Sequence, residues 1–356
     1  MTTLGLFNLM GLYDHNTSPT SVLKTTVDMV TMAEDFGFDI AWFAEHHFTN
    51  HSICPSSLLM VSHSAAMTSR IRLGTAVLAL PFHNPIRLVQ EVAFADLLTG
   101  GRLVLGLGTG YQPYEFERFG IEEDTKIERM LEIWDILEQG MTTGRVEYQG
   151  EHYRITASEL PMRPFGLTMP PVYVATRRPE VIARCARSGA TPFIGFGHRG
   201  LAPALAAQRL IAGYWRDAGA EPKEMPLAVQ RFIYVTEDKE DALHAARCVR
   251  DFARAWVTLQ GRYLDKEGPF VRLLPLNDEP PLDNFLETAV IGPPEYCVEK
   301  LKEELAAMRP SHLCCLMGPA GIGRSETLAS LERFGTEVVP RLGDYLDVAP
   351  VDELAA

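Results

Sequence analysis

The sequence lacks long hydrophobic runs, paired cysteines and an excess of positive charge. No apolar run approaches the ~18 residues that a membrane-spanning helix needs, and the N-terminus has no basic stretch with a cleavage site, so we expect no membrane segment and no signal peptide. The six cysteines are scattered without a C-x-x-C pair, which favours free thiols in a reducing cytoplasm. The formal net charge of −13 argues against nucleic acids and anionic membranes as partners, because their phosphates repel an acidic surface.

Apolar runs typical of buried strands alternate with segments of helical spacing along almost all of the 356 residues. About eight strand–helix units follow one another without a linker, which predicts a parallel sheet, either a closed barrel or an open doubly wound sheet. We favour the α/β fold of a (β/α)8 TIM barrel, because eight units is the number it needs. We take residues 1–342 as a single domain and residues 343–356 as a loose acidic tail.

Two segments depart from this alternation. Residues 144–155 have the pattern of a β-hairpin, which would be an excursion from the barrel. Residues 261–287, after the seventh strand–helix unit, are rich in proline, glycine and charge and show no periodicity. A segment this long without periodicity is usually either disordered or functional, and we expect a long lid loop.

The strongest local feature is the apolar run of residues 38–44, which ends in Glu45, His46 and His47. It predicts a buried strand that delivers titratable side chains to its carboxyl end, where barrel enzymes carry out their chemistry. A histidine there can exchange protons near neutral pH, and a neighbouring carboxylate can tune it. Successive strand residues point to opposite sides, so these three side chains should not all face one pocket. The alternative is a solvated strand end.

A metal site is a weaker reading of the same region. His47 and His51 are four residues apart, a spacing that would bring two ligands together on a helix. The intervening residues do not have a helical pattern, so we expect no metal.

Two glycine-rich turns invite a nucleotide-binding interpretation. Residues 106–110 form a Gly-x-Gly-x-Gly turn after a strand, which would let a ligand approach the backbone, but the G-x-G-x-x-G match fails at Tyr111 and the turn could be merely tight. Residues 318–325 resemble a P-loop with Arg324 in place of the lysine. Arginine does not replace that compact charge, so we expect a loop at the barrel rim rather than NTP hydrolysis.

A third turn predicts an anion site. Thr176 and Arg177 follow the strand that includes Ala175 and precede a helix that begins near Pro179. Unpaired N–H groups, the helix dipole, a hydroxyl and a guanidinium would together bind phosphate. The alternative is an ordinary capped helix.

Taken in order, these motifs resemble the bacterial luciferase-like flavin monooxygenases. The resemblance is carried by residues 45–49 (EHHFT), 73–77 (LGTAV), 80–85 (LPFHNP) and 101–106 (GRLVLG). It continues through residues 111–120, 171–189, 291–295 and 330–340, and so spans nearly the whole chain.

The resemblance implies a TIM-type barrel that binds reduced FMN (FMNH2) at its carboxyl end. His46 would be the acid/base near the reactive carbon of the flavin, and Glu45 its partner. The bond between Ala76 and Val77 would be a non-proline cis peptide beneath the flavin ring. The implied cofactor-binding residues are Ala76, Val77, Asn84, Gly108, Thr109, Tyr111, Arg129, Ala175, Thr176 and Arg177.

Three positions depart from the luciferases themselves. Thr109 stands where luciferases carry an arginine for the flavin phosphate, so Arg129 or Arg177 would supply that charge. Asn84 replaces a histidine, and Gly108 replaces a thiol of the luciferase α chain. These departures favour oxygenation without light emission.

The function implied is therefore a two-component, FMNH2-dependent monooxygenase that oxidises a small organic substrate with O2 through a peroxyflavin. A separate flavin reductase would be its partner, because the chain has no evident dinucleotide motif. A deazaflavin-dependent oxidoreductase on the same barrel is the main alternative. A non-catalytic flavin-binding relative is another, which the presence of Glu45 and His46 disfavours.

The family resemblance also suggests a homodimer through the early helices. Six apolar residues could form its interface or could simply pack on the barrel: Met29, Val30, Ala33, Leu58, Leu59 and Met60.

Overall fold

A computed structural model of the chain describes residues 2–166, 168–197 and 199–346. Eight of its strands are parallel neighbours: β1 Thr3–Asn8, β2 Ile40–Phe43, β3 Arg72–Thr75, β4 Leu103–Gly108, β5 Val172–Ala175, β6 Thr191–Gly195, β7 Ala228–Val235 and β8 His312–Leu316. Each strand pairs in parallel with the next, and β8 pairs with β1. The sheet is therefore closed, and the predicted (β/α)8 barrel is confirmed.

Large side chains fill the barrel interior and pack against glycines of neighbouring strands. Trp42 of β2 is fully buried, and its indole N–H donates to His312 Nε2 of β8 at 2.9 Å. A Cβ on Gly74 would lie 2.3 Å from the indole, and one on Gly5 would lie 2.5 Å from the His312 imidazole. Glycine is needed at both positions because any larger residue would displace these rings. Burial lowers the pKa of His312 to about 3, so the ring is neutral and can accept from Trp42.

Helices cover the outside of the barrel. They are α1 Pro19–Asp35, α2 Ser57–Ala65, α3 Pro85–Thr99, α4 Pro113–Phe119, α5 Lys126–Thr143, α6 Pro179–Ser188, α7 Leu201–Asp217, α8 Lys239–Leu259, α9 Leu282–Thr288, α10 Pro294–Met308, α11 Arg324–Arg333 and α12 Gly343–Leu346. Shorter 3-10 turns span Leu80–Phe82, Glu123–Thr125, Pro222–Glu224 and Val339–Leu342, and a π-helical turn spans Phe334–Val338. Proline occupies the first turn of several helices, where its missing N–H costs nothing.

Short strands outside the eight add local detail. Arg145–Gln149 and Arg154–Glu159 pair antiparallel, so the predicted hairpin excursion is confirmed and extends four residues further than expected. The strand β3 ends at Thr75, and a separate short strand, Leu78–Ala79, follows the cis peptide between Ala76 and Val77. Val290–Gly292 pairs with the end of β7 outside the barrel.

The predicted lid segment is more regular than its composition suggests. Residues 261–287 include a small hairpin, Lys266–Glu267 with Phe270–Val271, and most of α9. Asn50, in the loop after β2, anchors the hairpin: its N–H donates to Pro269 O at 2.9 Å, and its Oδ1 accepts from Val271 N–H at 2.9 Å. A lid function for this segment stays a prediction.

The first residues of the expected C-terminal tail are helical. Residues 343–346 of the expected loose tail form the helical turn α12, and residues 347–356 lie outside the described residues. No helix among the described residues is long and apolar enough to cross a bilayer.

Of the six residues considered for the dimer, only Leu59 is exposed, since the other five pack in the core. The homodimer stays a prediction.

Candidate active site

The carboxyl ends of the barrel strands surround a cleft. One cavity of about 290 Å3 is lined by Phe7, Leu9, Glu45, His46, His51, Ala76, Val77, Ala79, Gly108, Thr109, Gly110, Tyr111, Glu115, Ala175, Phe193, Gly195, Gln230, Phe252 and Trp256. A second cavity of about 440 Å3 shares Tyr111, Ala175, Phe193, Gly195, Gln230, Phe252 and Trp256 with the first and continues to Thr176, Arg177 and Arg199. We call the first the inner cavity and the second the outer cavity. Their position matches that of the active site in barrel enzymes.

Glu45 and His46 both line the inner cavity although they are sequence neighbours. This is possible because β2 ends at Phe43, so the alternation of a strand no longer applies. His47 does not line the cavity, in agreement with the expectation that the three side chains would not share one pocket.

Glu45 anchors the loop that carries His46. Its Oε2 accepts from the backbone N–H of Ser57 at 3.0 Å and from the Ser57 hydroxyl at 2.8 Å, and its Oε1 lies 3.0 Å from His83 Nε2. Burial raises the pKa of Glu45, but the contacts with His83 and Ser57 outweigh burial, so the pKa lies below its ordinary value. Glu45 is therefore a buried carboxylate held at the start of α2.

His46 is held from its Nδ1 side. The Gln112 Nε2 amide lies 2.9 Å from His46 Nδ1, and Glu115 Oε1 lies 3.5 Å from the same atom. With the Gln112 amide oriented so that its NH2 faces the ring, Nδ1 is the acceptor and the proton of a neutral ring lies on Nε2. Glu115 is buried and also accepts from His47 N–H at 2.7 Å.

The two residues joined by the cis peptide form part of the apolar wall of the inner cavity. The Ala76–Val77 bond is cis at the position that the resemblance implied. A Cβ on Gly108 would lie 2.5 Å from Val77 Cγ2, so glycine lets β4 pack against this wall.

The outer cavity ends in two guanidinium groups. Arg177 follows β5 and Arg199 follows β6, and no carboxylate pairs with either among the described residues. Burial lowers the pKa of Arg199, and the nearby Arg177 lowers it further. The Arg199 guanidinium lies over the Trp256 ring, 4.7 Å from its centroid. Arg177 precedes α6 and Arg199 precedes α7, and two such guanidinium groups without a counter-ion would attract an anion.

Comparison with known proteins agrees with this geometry. The sequence profile of the family described as luciferase-like monooxygenase matches residues 2–312. An uncharacterised protein of Sinorhizobium fredii is 31% identical over 337 residues, which cover 94% of this chain and 95% of that protein.

The chain belongs to the luciferase-like monooxygenase family.

It is therefore an enzyme of the oxidoreductase class, as predicted. Two solved structures share its fold. The oxygenating constituent of 3,6-diketocamphane monooxygenase from Pseudomonas putida, in complex with FMN, has a TM-score of 0.76 at 17% identity and covers 96% of this chain and 98% of its own. An F420-dependent secondary alcohol dehydrogenase has a TM-score of 0.73 at 16% identity and covers 96% of this chain and 99% of its own.

Most of the predicted site residues of this luciferase-like monooxygenase come together in the cleft. The inner cavity contains Glu45, His46, Ala76, Val77, Gly108, Thr109, Tyr111 and Ala175, and the outer cavity contains Thr176 and Arg177. Asn84 and Arg129 line neither cavity, and their roles at the cofactor stay predictions. Asn84 is exposed and caps α3 by accepting from Arg87 N–H at 3.2 Å. Arg129 is turned towards the hairpin, with its Nη1 3.3 Å from the Tyr153 hydroxyl.

Other residues in or beside the cleft did not stand out in the sequence as parts of a flavin site, and His51 was considered there only as a metal ligand. They are His51, Gln112, Glu115, Arg199, Gln230, Phe252 and Trp256. Arg199 could have been found, because it follows β6 as Arg177 follows β5. His51 and Glu115 carry no such signal, since their neighbours are distant in sequence.

The residues present fit a flavin. Ala76, Val77 and Gly108 line the inner cavity with apolar atoms that a ring could pack against, and the arginines of the outer cavity could bind a phosphate. The Gln230 side-chain amide faces both cavities and makes no hydrogen bond to the residues that the structure describes. Such an amide in a largely apolar cleft suits the polar edge of a ring.

Proposed function

We propose that this chain is the oxygenase component of a two-component, FMNH2-dependent monooxygenase that acts on a small organic substrate. One observation carries the proposal. The two cavities form a single cleft that has two arginines without carboxylate partners among the described residues, Arg177 and Arg199, in its outer part and the titratable side chain of His46 in its inner part. An elongated anionic cofactor would place its phosphate at one end and its reactive ring at the other.

The arginine end supports phosphate binding. Thr176 Oγ1 accepts from Arg178 N–H at 3.0 Å, which shapes the turn before α6, and the N-terminus of α6 carries a partial positive charge. A phosphate there would gain charge-assisted hydrogen bonds from guanidinium groups that have no competing carboxylate among the described residues.

The other end supports oxygen chemistry. When bound, a reduced flavin supplies the electrons that activate O2. In this chain His46 would hold or move a proton at Nε2, because Gln112 occupies Nδ1. The apolar side chains of Phe7, Leu9 and Phe252 would exclude water from the ring, which protects a reactive intermediate from side reactions.

The size and polarity of the inner cavity support a small organic substrate. Its volume of about 290 Å3 lies just below the range for small-molecule sites, roughly 300–1,000 Å3. Since the same cavity would also hold the flavin ring, only a small substrate would fit beside it. A separate reductase would supply the FMNH2. The relative that binds FMN is itself described as an oxygenating constituent, which supports such a division of labour.

The second candidate is an F420-dependent oxidoreductase. The structural similarity to an F420-dependent alcohol dehydrogenase favours it. Quenching of tryptophan fluorescence separates the two, because Trp256 lines both cavities. We expect dithionite-reduced FMN to bind more tightly than oxidised FMN and than F420. Tighter binding of F420 would refute the proposal in favour of the alternative.

The phosphate site is tested by comparing FMN with riboflavin, which lacks the phosphate. Arg177→Ala should weaken FMN binding by roughly 10- to 100-fold, since charged hydrogen bonds contribute about 1.5–3 kcal/mol, and should leave riboflavin binding unchanged. Arg178→Ala is the matched control, because Arg178 is exposed and lines neither cavity. Equal losses for FMN and riboflavin in Arg177→Ala would show that the arginine does not bind the phosphate.

A further inference from the structure

A buried histidine connects the cleft to a separate cavity. His51 lies behind His46, with 4.8 Å between the ring centroids, and is 2% exposed. Its Nε2 lies 3.2 Å from the Tyr111 hydroxyl and its Nδ1 lies 2.7 Å from the Tyr13 hydroxyl. Tyr111 lines the inner and outer cavities. Tyr13 lines a third cavity, between α1 and the loop before α11.

The third cavity is polar and can hold water. Its volume is about 150 Å3, and its lining includes Asn8, Asp14, Thr17 and Ser21. Asn8 is buried, and its Oδ1 has no hydrogen-bond partner among the described residues. A water molecule needs a cavity of only about 10–15 Å3 and a few polar partners, so this site meets both conditions.

The protonation states of the three groups suit a relay. Burial lowers the pKa of His51 well below its ordinary value, and a protonated His46 would lower it further, so the His51 ring is neutral with one N–H and one acceptor nitrogen. Burial also raises the pKa of Tyr13 and of Tyr111, so both keep their hydroxyl protons at neutral pH.

The two distances indicate the direction of the hydrogen bonds. Hydroxyl donors make shorter bonds than ring N–H donors. The 2.7 Å contact therefore fits Tyr13 donating to Nδ1, and the 3.2 Å contact fits Nε2–H donating to the Tyr111 oxygen. The proton of Tyr111 itself is then free to point into the cleft.

We propose that Tyr13, His51 and Tyr111 form a proton relay from water in the third cavity to an oxygen atom bound in the cleft, with Tyr111 as the donating residue. Tyr111 gives its proton to that oxygen and takes the proton from His51 Nε2. His51 Nδ1 takes the proton of Tyr13, and Tyr13 takes one from solvent. One proton crosses, and His51 changes tautomer. The bound oxygen rests on the proposed function, whereas the relay itself does not.

The tautomer can be measured without any cofactor. In flavin-free protein labelled with 15N-histidine, and with His51→Gln used to assign the signals, we expect His51 to be neutral and protonated on Nε2. Tyr13→Phe should shift the Nδ1 resonance, and Tyr114→Phe should not, because Tyr114 does not contact His51 and lines none of the three cavities. A proton on Nδ1 in the wild-type protein would overturn the proposal.

Turnover provides the second test. Tyr111→Phe and Tyr13→Phe should each lower kcat, by on the order of 10²-fold for the donating residue. FMN affinity should be unchanged in Tyr13→Phe, and Tyr114→Phe should equal wild type. Tyr13 is decisive because it lies outside the cleft. A Tyr13→Phe variant with wild-type kcat would overturn the relay. If FMN fails to bind, the proposed function falls, while the tautomer still reports on the relay.

Discussion

Removing one hydroxyl beside Glu45 should destabilise the fold at neutral pH but not at low pH. Ser57 donates to Glu45 Oε2 twice, from its hydroxyl at 2.8 Å and from its backbone at 3.0 Å. Ser57→Ala deletes only the hydroxyl bond. A hydrogen bond to a charged group contributes about 1.5–3 kcal/mol, and both groups are buried, so we expect a loss of unfolding free energy in this range at pH 7.

The pH dependence follows from the pKa of Glu45, which is lowered from its ordinary value of 4.5. A carboxyl group with a lowered folded-state pKa contributes stability above its unfolded pKa, and that contribution is lost as the pH falls through the folded pKa. The difference between wild type and Ser57→Ala should therefore be full above about pH 4.5 and should shrink as the pH falls further. It should reach its minimum below the lowered folded-state pKa, where the carboxyl group is protonated in both proteins.

Urea unfolding at a series of pH values measures this difference. Ser62→Ala is the matched control, because Ser62 is on the same helix and its hydroxyl donates only to Leu58 O at 2.9 Å. Its unfolding free energy should change little and should show no dependence on pH relative to wild type. A Ser57→Ala difference that stayed constant down to acidic pH would refute the assignment of the effect to an ionised Glu45.

Two further variants test His46 as the acid/base and the buried ion pair between Glu304 and Arg231. His46→Ala should lower kcat by about 10²–10⁴-fold with FMN affinity nearly unchanged. The control is His63→Ala, because His63 is exposed. Unchanged turnover in His46→Ala would favour a non-catalytic flavin-binding relative. Glu304→Ala should cost about 3–5 kcal/mol in urea unfolding, because it leaves Arg231 buried and unpaired 2.7 Å from the lost carboxylate. Exposed Glu303→Ala is its control, and equal stability of the two would contradict the argument.

Local hydrophobic patterns predicted most strands and helices, because the buried face of each element is recorded within its own segment of sequence. The run that ends in Glu45 and His46 is recognisable as a buried strand from its composition alone, and its carboxyl end is where a barrel places its site. The same logic located Thr176 and Arg177 at the start of α6. It failed for residues 261–287, where a small hairpin forms against the loop that contains Asn50 and α9 packs against α8. No periodicity within that segment records a contact so distant in sequence.

The sequence by itself determined the alternation of strands and helices, and with it the closed barrel and the end at which the cleft lies. Tertiary structure alone decided which side chains meet there. It brought Arg199 and Arg177 to the same cavity and placed the Gln112 amide within hydrogen-bond distance of His46. It also directed the Asn84 side chain to the N-terminus of α3, which it caps. The physical reason is that periodicity records which face of an element is buried, whereas a contact between loops depends on where separate strands end in space.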